Sequence, residues 1–303
     1  MIWSESPWIV DCEKTWELGQ AYRLTVQYTH HEKYGPQIEI LKWRPIHADD
    51  KYSGFDLANL VDSSRFSIPQ MWEEINQLVE TEISQPALRL LIHSLYQKHS
   101  GVLQSLPASD GKFYPFRGGW LEHTLSLVKS CIVLCQHYRR QYEGVEPSID
   151  RDLVLAGAFL HDLGRVAEFS TDPLGILIQP TVQGKLFGHV TLGRDLVHQA
   201  ALEQGDVHPA FLERLEHVIL SHLVHPEWGS PRLPMIPEVL ILHHADDLDA
   251  KLEMYLRCLS RDQSTGPFTA RDPVLGKVLL KPAVSDMAVN ETAQDNLGPS
   301  KKM

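Results

Sequence analysis

His161 and Asp162 stand side by side at the end of an apolar run, residues 153–160, and are followed by Leu163-Gly164-Arg165. An imidazole and a carboxylate buried together at a helix end are costly to desolvate unless something positive lies between them. A divalent metal ion suits both groups. Four further residues, in helical stretches before and after this pair, could complete its shell: His123, His189, His222 and Asp246. His123 sits between Leu121 and Leu125, just after Gly118-Gly119, where a bare backbone allows close approach to a ligand. His189 follows Gly188 at a helix start, and His222 lies one turn past Val218 and Ile219 near a helix end. Asp246 interrupts an otherwise apolar helix, where a carboxylate is expected to be paired or metal-bound. Taken singly, each has an ordinary alternative. His123 reads as a packed core histidine, His161-Asp162 as a hydrogen-bonded helix terminus, and His189 as a first-turn residue. His222 reads as a charge favoured by the helix dipole, and Asp246 as solvated beside the partly exposed Asp247 and Asp249. One shared cation explains all of them more economically than five separate accidents.

The elements that must position these residues are mainly helical. Residues 1–50 read as β: Tyr22, Leu24, Val26 and Tyr28 alternate with polar residues, a turn falls at Lys33-Tyr34-Gly35-Pro36, and a second strand runs over 37–43 until Pro45 stops it. Two strands are too few to stand alone and must pack on something. From about residue 67 the apolar spacing becomes helical. Helices are expected from Pro69 on through Val79, around 88–96, and over 120–142, 150–163, 187–204, 209–223 and 237–259, with Gly164 as a C-terminal stop. Residues 170–186 look irregular, a loop fills 225–234, and the polar stretch 283–303 is expected to be disordered.

Composition narrows the field. The chain has 303 residues, 43% of them hydrophobic, and carries 28 basic against 39 acidic side chains for a net charge of −11. That balance argues against a strong sequence-independent grip on nucleic acid, without excluding a local basic groove. Cys12, Cys131, Cys135 and Cys258 form no Cys-x-x-Cys pair; the first residues do not resemble a signal peptide, and no run of 18 apolar residues suggests a membrane span. A cytoplasmic setting is the expectation. A homo-oligomer is compatible with a chain of this size.

The order His123, His161-Asp162, Asp246 resembles that of the HD-domain metal-dependent phosphohydrolases. The stretches GGWLEHTLSL (118–127), LAGAFLHDLGR (155–165), GKLFGHVTLG (184–193), ILSH (219–222), EWGSP (227–231) and LHHADDLDAK (242–251) go further and resemble the YhaM-type 3′-to-5′ exoribonucleases of bacteria. The likeness covers roughly residues 65–282, including FTARDPVLGKVLLKP near the end. It implies a helical HD bundle over 65–282 behind a small β segment, 1–50, akin to part of an OB-fold. It also implies a metal site with His123, His161, Asp162 and Asp246 as core ligands, extended by His189 and His222 to a second ion. Nitrogen and oxygen ligands suit Mn, Fe, Co, Zn or Mg alike. The implied reaction is attack of a metal-activated water on a phosphoester, with Asp162 touching both ions and accepting a proton. Arg165, where the family commonly has lysine, is expected to grip the scissile phosphate, or else to serve as a helix-terminal cation. Gly119 and Trp228 are taken as further substrate contacts.

Two departures stand out. Phe113-Tyr114 replaces a pair of histidines common in the subfamily, and Leu223 replaces a histidine after His222, with His225 following as a loop residue or a substitute ligand. An OB-fold needs five strands, whereas residues 1–50 hold about two, with five basic against eight acidic side chains. Tyr22, Tyr28 and Trp43 there suit base stacking or, more ordinarily, a hairpin core. The expected substrate is single-stranded RNA. The alternatives are a mononucleotide or cyclic nucleotide, or a regulatory module that binds metal or nucleotide without turnover.

Overall fold

The computed structural model of the protein describes residues 8–282 except 18–19, 32, 54, 56–59 and 172–177; the expected disorder of 283–303 lies outside the described residues. The N-terminal segment is less purely β than its alternation suggests. A short helix, α1 (Ile9–Thr15), precedes β1 (Tyr22–His31) and β2 (Gly35–Pro45), which pair antiparallel from Tyr22 with Pro45 to His31 with Gly35. The Trp8 indole donates to the Ile40 carbonyl at 2.6 Å, and Trp16 stacks on Tyr22 with ring centroids 4.9 Å apart and meets Trp43 edge-on. Asp50 ties the open end of the hairpin by accepting from Arg23, both Arg44 nitrogens and the His47 backbone. The half-buried strand expected from the alternation is only partly realised: Tyr22 and Trp43 are covered, whereas Leu24, Val26, Tyr28 and Ile38 are exposed. Alternation separates two faces of a strand; it does not supply the layer that buries one of them.

The helical body comprises α2 (Ile68–Glu82), α3 (Pro86–Leu103), α4 (Gly119–Gln141), α5 (Arg151–Leu160), α6 (Arg165–Glu168), a small hairpin of β3 (Phe169–Thr171) and β4 (Ile178–Pro180), then α7 (Val182–Gln204), α8 (Pro209–Ser221) and α9 (Pro237–Arg261). Proline in the first turn starts α2, α3, α8 and α9, where its missing N–H costs nothing. α5 is the centre. Every residue from Asp152 to Leu160 is buried, and α3, α4, α8 and α9 pack around it. Its N-terminus is capped by Asp150, which accepts from the Leu153 backbone. Beyond α9 the chain turns back on itself: Lys281 reaches Asp262 at 2.9 Å and Thr269 bonds the Leu279 carbonyl.

α5 ends at Leu160, three residues before its expected stop. Leu163 bonds back to the Leu160 carbonyl, so residues 161–164 form a turn before α6. Trp120 holds this corner by donating its indole N–H to the Asp162 carbonyl at 3.1 Å, and the Tyr96 hydroxyl donates to the Phe159 carbonyl at 2.8 Å. Gly164 is not a left-handed helix stop, for its φ is −61°. It is there because α7 comes so close: a Cβ on Gly164 would lie 1.9 Å from the His189 carbonyl oxygen and 2.5 Å from the Gly193 nitrogen. α7 is broken at Gly188, which takes φ +69° and ψ 161°, dihedrals open to glycine, and a new helical run starts at His189. That run begins where a helix was expected; the turns before it, from Val182, were expected to be irregular.

Because Gly164 already has helical dihedrals, Gly164→Ala isolates the steric term. The substitution should destabilise the protein by about 3 kcal/mol, measured by urea unfolding, whereas Gly101→Ala, at an open helical position in α3, should not destabilise it.

A candidate metal centre

The turn after α5, the start of the second run of α7, the end of α8 and the middle of α9 meet the second turn of α4 around one carboxylate, that of Asp162. His123, His161, Asp162, His189, His222 and Asp246 are all buried, at 9% exposure or less. Five of these six expected ligands fall into two triads, His123-His161-Asp162 and Asp162-His189-His222. In each triad one ligand atom per residue lies within 4.8 Å of the others, and Asp162 belongs to both. Asp246 stands outside both triads, with its Oδ1 3.1 Å from His123 Nε2 on the wall of the cavity.

The four imidazoles share one orientation. His161 Nδ1 donates to the Ala158 carbonyl at 3.0 Å and His222 Nδ1 to the Ile219 carbonyl at 2.7 Å. His123 Nδ1 donates to Asp249 at 2.8 Å, and His189 Nδ1 lies 3.4 Å from Glu168. Since carbonyls and carboxylates only accept, each Nδ1 carries the proton and each Nε2 is turned toward Asp162. All four Nε2 atoms are buried: those of His161 and His222 have no hydrogen-bond partner, whereas His123 Nε2 lies 3.1 Å from Asp246 and His189 Nε2 3.1 Å from Asp162. An unsatisfied buried polar atom costs roughly 1–3 kcal/mol, so two unpartnered nitrogens, with two more turned onto carboxylates, form an arrangement that cations relieve. The residues present therefore fit divalent metal ions.

The charges fit as well. Burial works against ionisation of Asp162, but the Arg165 guanidinium, then His189, His161 and His222, hold it well below the usual carboxylate range. Burial opposes ionisation of Asp246 too, and His123 holds it down to about 2. Burial pushes His161 below its ordinary value and His222 down to about 4. His123 is the exception: burial would lower it, yet Asp246 and Asp249 on its two sides carry it to about 10. Without a cation it is an imidazolium between two carboxylates.

Arg165 is nearly enclosed. Its Nη1 pairs with Glu168 at 2.6 Å and its Nε faces Asp162 at 3.4 Å, so two carboxylates already compensate its charge. Trp228 lies in the wall of the same cavity, half exposed, with its ring 4.5 Å from that of His225 and Lys251 Nζ 5.6 Å from its centroid. Gly119 does not reach the cavity. A Cβ there would lie 2.1 Å from the Tyr114 carbonyl oxygen, so this glycine serves close packing at the start of α4. His225 belongs to neither triad and stays in the loop. Phe113 and Tyr114, in place of the paired histidines, pack on His123 with centroids 5.2 and 5.5 Å away. Glu168, Asp249, Ser126 and His243 were not anticipated. Glu168 orients His189 and Arg165, Asp249 and Ser126 bond one another behind His123, and His243 donates to the His222 carbonyl. Asp249 had a readable signal, lying one turn past Asp246 on α9. Glu168 comes into place only through the close approach of α6 and α7.

The centre opens into a cavity of about 570 Å³ lined by Asp162, Arg165, His189, His222, Asp246, Trp228 and Lys251 among others. Another opening, about 660 Å³, lies at the other end of α5, where Arg214 pairs with Asp150 and Glu238.

A helical bundle that converges a His-Asp dipeptide with histidines and an aspartate from neighbouring helices is the arrangement of an HD domain, and residues 120–251 match that family. The 3′-5′ exoribonuclease YhaM of Shouchella clausii is 34% identical over 235 residues, covering 78% of this chain and 68% of that protein. The YhaM proteins of Bacillus subtilis and Bacillus velezensis are each 30% identical, over 85% and 89% of this chain and 80% and 79% of their own length. The chain belongs to this YhaM family of HD-domain proteins. No solved structure matches it.

The shifted histidines set a pH profile for the metal-free protein. Below the ordinary value of 6.5, unfolded His222 takes up a proton that the folded state refuses until about 4, so stability falls with acid. Above 6.5, unfolded His123 loses a proton that the folded state keeps until about 10, so stability falls with base. Thermal unfolding of chelator-treated protein should therefore show a maximum near pH 6.5, and an excess of divalent ion should raise the melting temperature at pH 7.5.

Proposed function

We propose that the chain is a metal-dependent 3′-to-5′ exoribonuclease acting on single-stranded RNA, with two divalent ions held by the triads that share Asp162. The observation that carries this reading is the pair of imidazole clusters facing one buried carboxylate beneath an open cavity, in a chain of the YhaM family. Bound divalent ions would supply a nucleophilic water at neutral pH and Lewis acidity toward a phosphate oxygen. His123 and His161 hold one side and His189 and His222 the other. Asp162 belongs to both triads and stays ionised at neutral pH, so its carboxylate would be offered to both ions, while Asp246 lies beside His123. Arg165, with its Nε 3.4 Å from Asp162 and its Nη1 on Glu168, orients the Asp162 carboxylate, and its side chain lines the cavity that an anionic substrate would enter.

The cavity, within the roughly 300–1,000 Å³ of small-ligand pockets, suits a chain end rather than a duplex. Trp228 offers a ring face on which a base can stack, and Lys112 and Lys251 place positive charge in a chain that is otherwise acidic. The division into a small β segment, 1–50, and an HD domain, 65–282, belongs to this reading. So does a cytoplasmic setting, in keeping with four free cysteines and with the finding that no helix among the described residues is long and apolar enough to cross a membrane.

End-labelled single-stranded RNA incubated with the protein and Mn²⁺ should shorten stepwise from its 3′ end, and Asp162→Ala should abolish both the ladder and metal binding. Cleavage confined to mononucleotides or cyclic nucleotides would replace the exonuclease by a small-nucleotide phosphohydrolase. Metal binding without cleavage of any of these would indicate a regulatory module. Trp228→Ala should raise KM for RNA by about 10-fold, the loss of one stacked base, with a much smaller change in kcat.

A further inference from the structure

Asp249 is set apart from the other carboxylates of the centre. Asp162, Glu168 and Asp246 line the cavity, whereas Asp249 lies behind His123 and does not. Both of its oxygens are engaged: Oδ2 accepts from His123 Nδ1 at 2.8 Å and Oδ1 from the Ser126 hydroxyl, and its side chain is only 11% exposed. The contact joins two pairs of residues spaced by three, His123 and Ser126 on α4 with Asp246 and Asp249 on α9, so both faces are in register.

The remaining histidines have weaker supports. His161 and His222 lean on neutral backbone carbonyls. His189 has Glu168 at the longer distance of 3.4 Å, and Glu168 shares its charge with Arg165 at 2.6 Å. A carboxylate behind an imidazole fixes the ring and makes its outward nitrogen a better donor to a metal, whereas a carbonyl fixes the ring with less effect on its basicity. The two triads are therefore unequal, although they share Asp162.

We propose that Asp249 is a positioning residue that makes the His123-His161-Asp162 triad the tighter of two cation sites, so that the two ions bind in sequence. The inference rests on the two-ion reading above and adds an order of filling that the ligands alone do not define.

The test is calorimetric titration of metal-stripped protein with Mn²⁺, with fold checked by circular dichroism. Wild type should show two binding events of distinct affinity. Asp249→Asn keeps an oxygen that can accept from Nδ1 but removes the charge; it should weaken the tighter event by about 10- to 100-fold and leave the weaker one within about twofold. Ser126→Ala keeps the charge and loosens its hold, so it should weaken the same event by a smaller factor, and it carries the test alone if Asp249→Asn does not fold. Two events that weaken together, or that stay unchanged in the variants, overturn the proposal while leaving the two-ion reading intact. A wild-type protein that binds no Mn²⁺, or one ion only, overturns that reading and the proposal with it.

Discussion

A single buried carboxylate facing four imidazole nitrogens is the constraint from which the rest of the architecture follows. The Asp162 side chain is almost wholly enclosed, and His123, His161, His189 and His222 all turn Nε2 toward it. Hydrogen bonds on the other side of each ring fix its orientation, so each Nε2 stays turned inward. Such a cluster is unfavourable in isolation, since desolvated ring nitrogens and several buried carboxylates are brought together with little positive charge between them. Its persistence depends on a frame rigid enough to refuse collapse, and that frame is α5 with its four packed neighbours.

The frame explains residues far from the chemistry. Trp120 clamps the backbone of Asp162, Tyr96 clamps that of Phe159, and both rings pack edge to face inside the core. Gly164, Gly184 and Gly193 remove side chains where α6 and α7 must touch, and Gly184 sits against the Glu168 carbonyl. That contact brings Glu168 beside His189 and Arg165 beside Asp162. Charge is arranged in layers as a result: Arg165 and Glu168 compensate each other on one flank, and Asp246 and Asp249 surround His123 on the other. The protein is acidic overall, and its centre carries more negative than positive fixed charge, which suits cations first and an anionic substrate only once they are bound.

Much of this was legible before the fold was known. The helices of the body follow from apolar spacing and first-turn prolines, because a long amphipathic repeat has few competing interpretations. His161-Asp162 was legible as an anomaly, polar groups closing an apolar run. The partners that orient the ligands were harder to see. Glu168 and Ser126 resemble any surface residue in the sequence, and their roles exist only through helix-to-helix contact. The end of α5 was misplaced because Gly164 looks like a stop, whereas its smallness answers to α7 across the turn. Gly119 was misassigned for the converse reason, a double glycine serving packing rather than a ligand. The hairpin shows the limit of alternation: Leu24, Val26 and Tyr28 line one side of a strand as expected, yet they remain exposed.

The most direct test of the shared carboxylate is anomalous diffraction from crystals of the Mn²⁺-loaded protein. Two anomalous peaks roughly 3.5–4 Å apart, on either side of the Asp162 carboxylate and each within coordination distance of its own pair of histidines, are what the account predicts. A single peak, or peaks elsewhere in the molecule with the four Nε2 atoms unligated, would contradict it.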